Sequence, residues 1–389
     1  PTRRLLAAAA AGLHSTWGPK MHGFSNPRVV PGHRCWGPDG WPGRYSGAVT
    51  VPLLACVGPA QHGVRMHAEA LARHTPEARS VSGTVDELLP DLLRDDAPVH
   101  LHFTDRVFGD SATAAADTIA RLARVRPVSV TLHDIPQPSD GHAFEARRAA
   151  YARVADLART VIVSSASERR QLERFVAADV TAVFVDPLPI DPPEPGEWAA
   201  ARRHPANGIP SVAMLGFLYP GKGHDRVIAA LEGVRTPVDV VALGRPSDGH
   251  DDLVPALNAA ARALGHSFSA TGFLPDAALT RAAQEVTVPV VAPSHVSASG
   301  SVGRWIASGR KPLVTPHPFF EELAARAPWA LTLTDDLPTA LARALEDPAA
   351  TWIDPAAWDV TQVPGTAAAA AMQWERITGD RLTPRRGAL

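Results

Sequence analysis

The sequence contains little cysteine, no long apolar run and almost no net charge. Cys35 and Cys56 are the only cysteines in 389 residues, which excludes a disulfide framework and a cysteine-rich metal site. A formal net charge of −2 gives no electrostatic reason to expect a nucleic-acid or membrane-surface partner. No apolar segment approaches the roughly 18 residues that would cross a bilayer. We therefore expect a cytoplasmic protein with no nucleic-acid partner and no transmembrane segment.

Carboxylates are also missing from one long stretch, between Val286 and Phe320. Within it, an apolar run leads into the Ser/Gly-rich sequence SHVSASGSVGRW and then into the basic pair Arg310 and Lys311. Serine hydroxyls and free backbone N–H groups at the start of a helix favour anions. We interpret the stretch as an anion site; an ordinary serine-capped helix is the alternative.

The length suits two domains of about 150 residues each. Residues 1–48 are rich in glycine and proline, and their RRLLAAAAAGLHS segment resembles a signal peptide only superficially, because the apolar run is interrupted early. Residues 186–210 contain seven prolines, which predicts an interdomain linker. The resulting division is an irregular N-terminal extension (1–48), a first domain (49–187), a linker (188–209), a second domain (210–365), and a C-terminal helix and tail (366–389) that packs back on the first domain.

Short β-branched runs alternate with helical segments on both sides of the linker. The runs are VTVPLLACVG, VHLHF, PVSVTLHD, TVIVSS and TAVFVDP before it, and SVAMLGF, VDVVALG, FSATGF, TVPVVAPS, KPLVTP and ALTLTD after it. Nearly continuous apolar strands separated by helices are typical of parallel sheets covered on both faces. The predicted fold is α/β, with two doubly wound, Rossmann-like domains facing a cleft. Ligands of such sheets bind at the carboxyl ends of the strands.

In each half, one further loop follows the first strand. GPAQHGV, residues 58–64, has a glycine near each end, so a ligand could approach the backbone at a helix N-terminus. It is not the GxGxxG dinucleotide fingerprint, and glycines needed only for packing are the alternative. GFLYPGKGHDRVI, residues 216–228, holds Lys222 between two glycines directly before a helix. That position suits a diphosphate, although a solvated turn lysine would fit the same string.

These strings together carry a family resemblance. GFLYPGKGHDRVIAAL and ATGFLPDAALTRAAQEVTVPVVAPSHVSASGSVGRWIASGRKPLVTP, in this order and separation, resemble the C-terminal half of a GT-B glycosyltransferase of the family 4 type. The first half is similar more loosely, through GPAQHGV, TLHD and TVIVSSASERRQL, so the resemblance covers about residues 50–375. It implies a transferase that retains the anomeric configuration, takes a nucleoside-diphosphate sugar as co-substrate, and uses no metal or further cofactor. The acceptor and the oligomeric state stay undefined.

The resemblance also implies roles for single residues. Lys222 would contact the diphosphate, and Gly300 with Ser301 would form the helix end that receives it. Gly272 and Phe273 fall where the family places its nucleobase pocket. His133, in TLHD, falls near the transferred sugar, although packing at the edge of the core is an equal alternative. The implied set is donor binding by Gly63, Lys222, Gly272, Phe273, Ser297, Gly300, Ser301 and Arg304, catalysis by His133 and Ser299, and acceptor contacts from Gln61 and His62.

The sequence departs from the family at two places. Phe217 stands where the family usually has an arginine, and the family's spaced pair of glutamates is missing. Ser297 or Ser299 stands near the first glutamate position and Arg304 near the second. The loss of one charge-assisted hydrogen bond would cost about 1.5–3 kcal/mol. A non-catalytic nucleotide-sugar-binding or scaffold protein of the same fold is therefore the alternative function.

Two histidines, His100 and His102, project from one face of the VHLHF strand. Such a pair can ligate a metal ion, but the sequence indicates no third ligand. We therefore expect the pair to pack and to hydrogen-bond at the end of the strand.

Overall fold

The computed structural model describes residues 51–176, 183–194, 196 and 208–379. The predicted N-terminal extension and much of the predicted linker lie outside the described residues. Within the described part of the chain, no helix combines the length and the apolar character that crossing a membrane would require.

The first lobe is built on a six-stranded parallel sheet. Its strands lie in the order β2-β1-β3-β4-β5-β6, so the connections change direction between β1 and β3. In doubly wound sheets this switch point is where ligands bind. The strands are β1 (Leu53–Val57), β2 (Arg79–Gly83), β3 (Val99–Phe103), β4 (Val128–Leu132), β5 (Thr160–Val163) and β6 (Val183–Val185). The helices are α1 (Gly63–Arg73), α2 (Val85–Leu92), α3 (Asp105–Phe108), α4 (Ala112–Ala123), α5 (Phe144–Leu157) and α6 (Ala166–Gln171), with a 3-10 helix at Pro138–Ala143 and a π-helical turn at Leu172–Val176.

The second lobe repeats this plan with a different strand order. Its sheet has the order β12-β11-β10-β7-β8-β9, and the switch point lies between β7 and β10. The strands are β7 (Ser211–Leu215), β8 (Asp239–Leu243), β9 (Ser267–Ala270), β10 (Val288–Val291), β11 (Leu313–Val314) and β12 (Thr332–Leu333). The helices are α7 (His224–Ala229), α8 (Leu253–Ala263), α9 (Asp276–Glu285), α10 (Gly300–Ala307), α11 (Pro318–Arg326), α12 (Leu337–Glu346) and α13 (Thr366–Thr378), with 3-10 helices at Pro348–Thr351 and Pro355–Ala357.

The α/β prediction is confirmed, since both halves are parallel sheets flanked by helices. Each apolar run in the sequence corresponds to a strand, but β2 was missed. Of its five residues only Gly83 is buried, and the strand lies at the edge of the sheet. A polar edge strand has no apolar periodicity to reveal it.

The last helix, α13, lies against the first lobe. Ala369 and Ala370 pack on Leu71 of α1 in a small apolar cluster. At the start of the helix, Asp191 accepts hydrogen bonds from the backbone N–H and the hydroxyl of Thr366. The helix is therefore fixed both at its start and along its apolar face. The domain boundaries themselves stay a prediction.

Candidate functional site

The glycine-rich loop after β7 brings Lys222 to the carboxyl edge of the second sheet. Gly221 and Gly223 have φ values of +90° and +99°, which side-chain-bearing residues rarely adopt. A Cβ atom at Gly223 would overlap the carbonyl oxygen of Ala292, just beyond β10. Only glycine therefore fits there, and the turn can press against the end of β10 at the switch point.

Lys222 is half-buried and has no acidic partner among the described residues. Its Nζ atom donates a hydrogen bond to Ser301 Oγ at 3.4 Å and lies 5.9 Å from the centroid of the Tyr219 ring. Burial lowers the pKa of Lys222 from 10.5 to about 8. An ammonium group removed from water without a counter-ion is unfavourable, so the site is suited to an incoming anion.

The first turn of α10 lies beside this lysine. Ser299 is the N-cap residue, and its Oγ accepts a hydrogen bond from the backbone N–H of Val302 at 3.5 Å. Ser301 Oγ lies 3.0 Å from Ser299 Oγ, so the two hydroxyls and the Lys222 ammonium form one chain. Gly300 is exposed, and the first turn contains no acidic residue. Free N–H groups, hydroxyls and one cation therefore converge on the same place.

Ser297 connects the two lobes. Its hydroxyl accepts a hydrogen bond from the backbone N–H of Ile135 at 2.9 Å and donates to Glu168 Oε1 at 2.6 Å. Ile135 follows β4 in the first lobe, and Ser297 follows β10 in the second. This contact brings the carboxyl edges of the two sheets together. It places His133 and Ser299 each two residues from the same hydrogen bond.

Two glutamates complete the contact between the lobes. Glu168 is fully buried, accepts a hydrogen bond from Ser164 N–H at 2.8 Å, and has its pKa raised by burial to about 7. Glu322, from α11, accepts from the N–H groups of Ala166 and Ser167 at 3.0 and 2.9 Å. These N–H groups belong to the first turn of α6, where a carboxylate is favoured. Neither glutamate was singled out from the sequence.

Arg304 is held by the start of α9. Its Nη2 atom donates to the carbonyl oxygen of Asp276 at 2.9 Å, to Asp276 Oδ1 at 3.2 Å and to Thr280 Oγ1 at 3.3 Å. The predicted nucleobase residues Gly272 and Phe273 precede this helix, and the Phe273 side chain is 57% exposed. The predicted donor role of Arg304 would therefore be exercised at the start of α9.

Arg310 has a structural role. It is fully buried and donates hydrogen bonds to backbone carbonyl oxygens, including those of Ala283 at 3.0 Å and Thr287 at 2.9 Å. Its guanidinium carbon lies 4.0 Å from the centroid of the Trp352 ring. Although Arg310 belongs to the acid-free stretch, its guanidinium is occupied by these backbone carbonyl groups. Its charge is satisfied inside the fold, and Lys222 is the cation at the helix start.

On the first lobe, the GPAQHGV loop caps α1. The Nδ1 atom of His62 accepts a hydrogen bond from Val64 N–H at 3.3 Å, and burial lowers the pKa of this histidine. Gln61 and Gly63 are exposed, and a Cβ atom at Gly63 would meet nothing within 4 Å. The loop leaves open space at the edge of the sheet, where the acceptor was expected.

His133 belongs to a cluster of buried histidines. Its Nε2 atom lies 3.0 Å from His102 Nδ1, and burial lowers its pKa to about 4. The nearest ring nitrogens of His67, His102 and His133 lie within 4.8 Å of one another, close enough to be considered for one metal ion. The sequence indicated no third ligand for the VHLHF pair; the structure groups His102 with His67 and His133 and leaves His100 apart. His100 instead hydrogen-bonds Ser129 and Thr131. That the site uses no metal stays a prediction.

No protein-family model and no curated protein matches the sequence. Solved structures do match in shape. HepE of Anabaena, in complex with UDP and glucose, is 14% identical with a TM-score of 0.61, and the match covers 85% of this chain and 95% of that one. Sucrose-phosphate synthase of Thermosynechococcus elongatus is 17% identical with a TM-score of 0.57, over 84% and 95%. An α,α-trehalose-phosphate synthase of Burkholderia vietnamiensis is 11% identical with a TM-score of 0.50, over 81% and 76%. At these identities the likeness concerns the fold, which is GT-B.

Proposed function

We propose that the chain is a glycosyltransferase of the family 4 type that moves a sugar from a nucleoside-diphosphate donor to an acceptor hydroxyl, with retention and without a metal. The observation that carries the proposal is Lys222, a half-buried cation with no acidic partner among the described residues, beside the first turn of α10. The fold supports it, because HepE, a structure of the same fold, was solved with UDP and glucose. We also propose a cytoplasmic location.

In this proposal the diphosphate lies between the lysine loop and α10. Its oxygens accept hydrogen bonds from Lys222 Nζ, from the Ser301 hydroxyl and from the N–H groups that begin at Gly300. Negative charge builds up on the diphosphate as the bond to the sugar breaks. Donors that are already in place stabilise that charge without reorganisation, which is a large part of catalysis in many enzymes.

The sugar and the acceptor would lie toward the first lobe. His133 lies two residues before Ile135 and Ser299 two residues after Ser297, so the contact between Ile135 and Ser297 brings their segments together and makes them the candidates to face the transferred sugar. Gln61 and His62 line the open side where the acceptor would enter. Burial lowers the pKa of His133 to about 4, so at neutral pH this imidazole is uncharged.

Ser297 and Arg304 already make hydrogen bonds within the protein, which limits what each can offer to the donor. The Ser297 hydroxyl already donates to Glu168 and accepts from Ile135. One lone pair of its oxygen is therefore left to accept a hydrogen bond from a hydroxyl of the sugar donor. Arg304 uses Nη2 on α9, while its buried Nε has no hydrogen-bond partner among the described residues. We therefore propose that Ser297 mainly shapes the loop and that Arg304 contributes to the donor side through its remaining N–H groups.

A thermal-shift panel with UDP, GDP, ADP and dTDP, without added metal, tests the proposal. A ligand at about 100 times its dissociation constant stabilises a protein by about 2.7 kcal/mol, which raises the melting temperature by a few degrees. We expect one nucleotide to give this shift, and its sugar derivative to be consumed when acceptors are screened. Binding without turnover of any acceptor would favour the scaffold function. No shift with any nucleotide would refute donor binding.

A further inference from the structure

One face of the first sheet carries a layer of buried polar side chains beneath α1 and α13. His100 and His102 lie on β3, Ser129 and Thr131 lie opposite them on β4, and His133 follows. Gln373, from α13, is 5% exposed and inserts its side-chain amide into this layer. The opposite face of the same strands is apolar, with Leu101 and Val130 fully buried. Apolar residues on both faces would pack without the free-energy cost of burying polar groups, so the polar layer indicates a function.

The hydrogen bonds of this layer can be followed proton by proton, beginning at Ser129. Its hydroxyl lies 3.3 Å from the carbonyl oxygen of Val99, which can only accept, and 3.0 Å from His100 Nδ1; we assign the Ser129 proton to the carbonyl oxygen, so that the hydroxyl accepts from His100 Nδ1. A neutral imidazole carries a single N–H, so His100 Nε2 is unprotonated. It then accepts from the Thr131 hydroxyl at 3.1 Å. Thr131 Oγ1 is thereby left as an acceptor toward Gln373 Nε2 at 3.5 Å.

With the Ser129 proton assigned in this way, the orientation of the Gln373 amide and the positions of the next protons follow. The same NH₂ group that faces Thr131 lies 3.0 Å from His102 Nε2 and must donate to it, because an amide nitrogen has no acceptor capacity. The proton of His102 is then on Nδ1, which donates to His133 Nε2 at 3.0 Å. The proton of His133 is in turn on Nδ1. Burial lowers the pKa of His100 to about 3 and of His133 to about 4, in keeping with one proton per ring.

We infer that Gln373 is a positioning residue that acts through His102 to hold His133 in the Nδ1–H tautomer. His133 Nδ1 has no hydrogen-bond partner among the described residues, and this atom is not completely closed off from solvent. It is therefore available to a ligand as a hydrogen-bond donor. This inference rests on the proposed function for its consequence: His133 donates to an oxygen of the transferred sugar and does not act as the base that removes the acceptor proton.

The C-terminal helix is what makes this arrangement possible. Gln373 is separated from His102 by 271 residues, and α13 is tied down by Asp191 at its start and by the contact of Ala369 and Ala370 with Leu71. A helix fixed in this way can hold one amide against a buried ring. The second lobe's chain thus sets the proton position in the first lobe's site.

The tautomers can be measured directly in full-length protein labelled with ¹⁵N-histidine, using long-range ¹H–¹⁵N correlation NMR and signals assigned through His102→Asn and His133→Asn. We expect both His102 and His133 to carry the proton on Nδ1 only. Gln373→Met, which keeps the length of the side chain and removes the donor, should replace the single form of His133 by a mixture or by the Nε2–H form. Gln362→Met is the matched control, because Gln362 also makes one amide hydrogen bond, accepting from Trp329 Nε1 within the second lobe and outside this layer. It should leave the His133 signals unchanged.

Three results would overturn the inference. They are a wild-type His133 protonated on Nε2, a Gln373→Met protein that folds and keeps the wild-type tautomers, and loss of the His102 and His133 N–H signals on addition of one equivalent of Zn²⁺. The last result would make these rings metal ligands. The wild-type measurement decides the matter even if Gln373→Met does not fold.

The kinetic readout separates this inference from the proposed function. If transfer occurs, Gln373→Met should lower kcat by about ten- to hundredfold, the effect of one lost hydrogen bond in the transition state, with little change in donor KM. If no nucleotide binds and no transfer occurs, the proposed function is wrong. The NMR measurement of the tautomers still tests the role of Gln373, because it requires no nucleotide and no transfer.

Discussion

Replacing Lys222 by methionine should have opposite effects on the free protein and on the nucleotide complex. Methionine keeps the length of the side chain and removes its charge. Burial lowers the pKa of Lys222 from 10.5 to about 8, so the charged form weakens the folded state at neutral pH by an amount of the order of 3 kcal/mol. Without ligand, Lys222→Met should therefore melt at a higher temperature than the wild type at pH 7.

The same substitution should remove most of the stabilisation by nucleotide. A hydrogen bond to a charged group contributes about 1.5–3 kcal/mol, so the dissociation constant for the nucleoside diphosphate should rise about ten- to hundredfold. Isothermal titration calorimetry and thermal shift with the preferred nucleotide measure this. Lys311→Met is a suitable control, because Lys311 is also half-buried but follows the end of α10, whereas Lys222 lies beside the first turn of that helix. It should leave nucleotide affinity unchanged.

Nucleotide affinity and the stability of the free protein should both depend on pH through Lys222. The free protein loses the Lys222 proton as the pH rises through about 8, so nucleotide affinity should fall above that pH, and Lys222→Met should show no such fall. Between pH 8 and 10.5 the unfolded chain binds this proton more than the folded one does, so wild-type stability gains on the variant. The reasoning is refuted if Lys222→Met lowers the melting temperature at pH 7 and leaves nucleotide affinity intact. Lys222 would then be a structural residue.

Two predictions concern the contact between the lobes. The pKa of Glu168 is raised from 4.5 to about 7, so its contribution to stability is present below pH 4.5 and is lost as the pH rises through 7. The melting temperature of Glu168→Gln should therefore rise relative to that of the wild type between pH 5 and 8. A difference that does not change with pH would contradict this. Glu322→Gln weakens the carboxylate contact with the N–H groups of Ala166 and Ser167 and should cost about 1–2 kcal/mol by denaturant unfolding, whereas Glu77→Gln, at an exposed turn position, should be neutral.

Features set by local chemistry were predictable from the sequence. The lysine loop could be found because Gly221 and Gly223 are required by positive φ, and such a requirement is written in the residues themselves. The strands could be found wherever they carry a run of β-branched or other apolar residues, even where polar residues alternate with them, as in β3 and β4. β2 failed this condition, since most of its residues are exposed at the edge of the sheet.

Features set by contacts between distant segments were not predictable. Arg310 cannot be told from a solvated arginine in the sequence, because its partners are backbone carbonyl groups, which every residue has. Gln373 carries no local signal either, as its partner His102 lies 271 residues away. His67 is one of several polar positions on α1, and only the packing of that helix on β1 and β3 brings it to His133.

The missing glutamates and the contact between the lobes are connected through Ser297. A carboxylate at this buried position would face Glu168 and would have to share a proton with it or repel it. With serine there, Glu168 keeps one donor from the second lobe, and the loop that carries Ser299 is held against Ile135. The loop between β10 and α10 thus joins the two lobes, and in the proposed function the same loop offers hydroxyls and N–H groups to the diphosphate. On the proposed function, weakening the contact of Ser297 with Glu168 and Ile135 should alter kcat as well as stability.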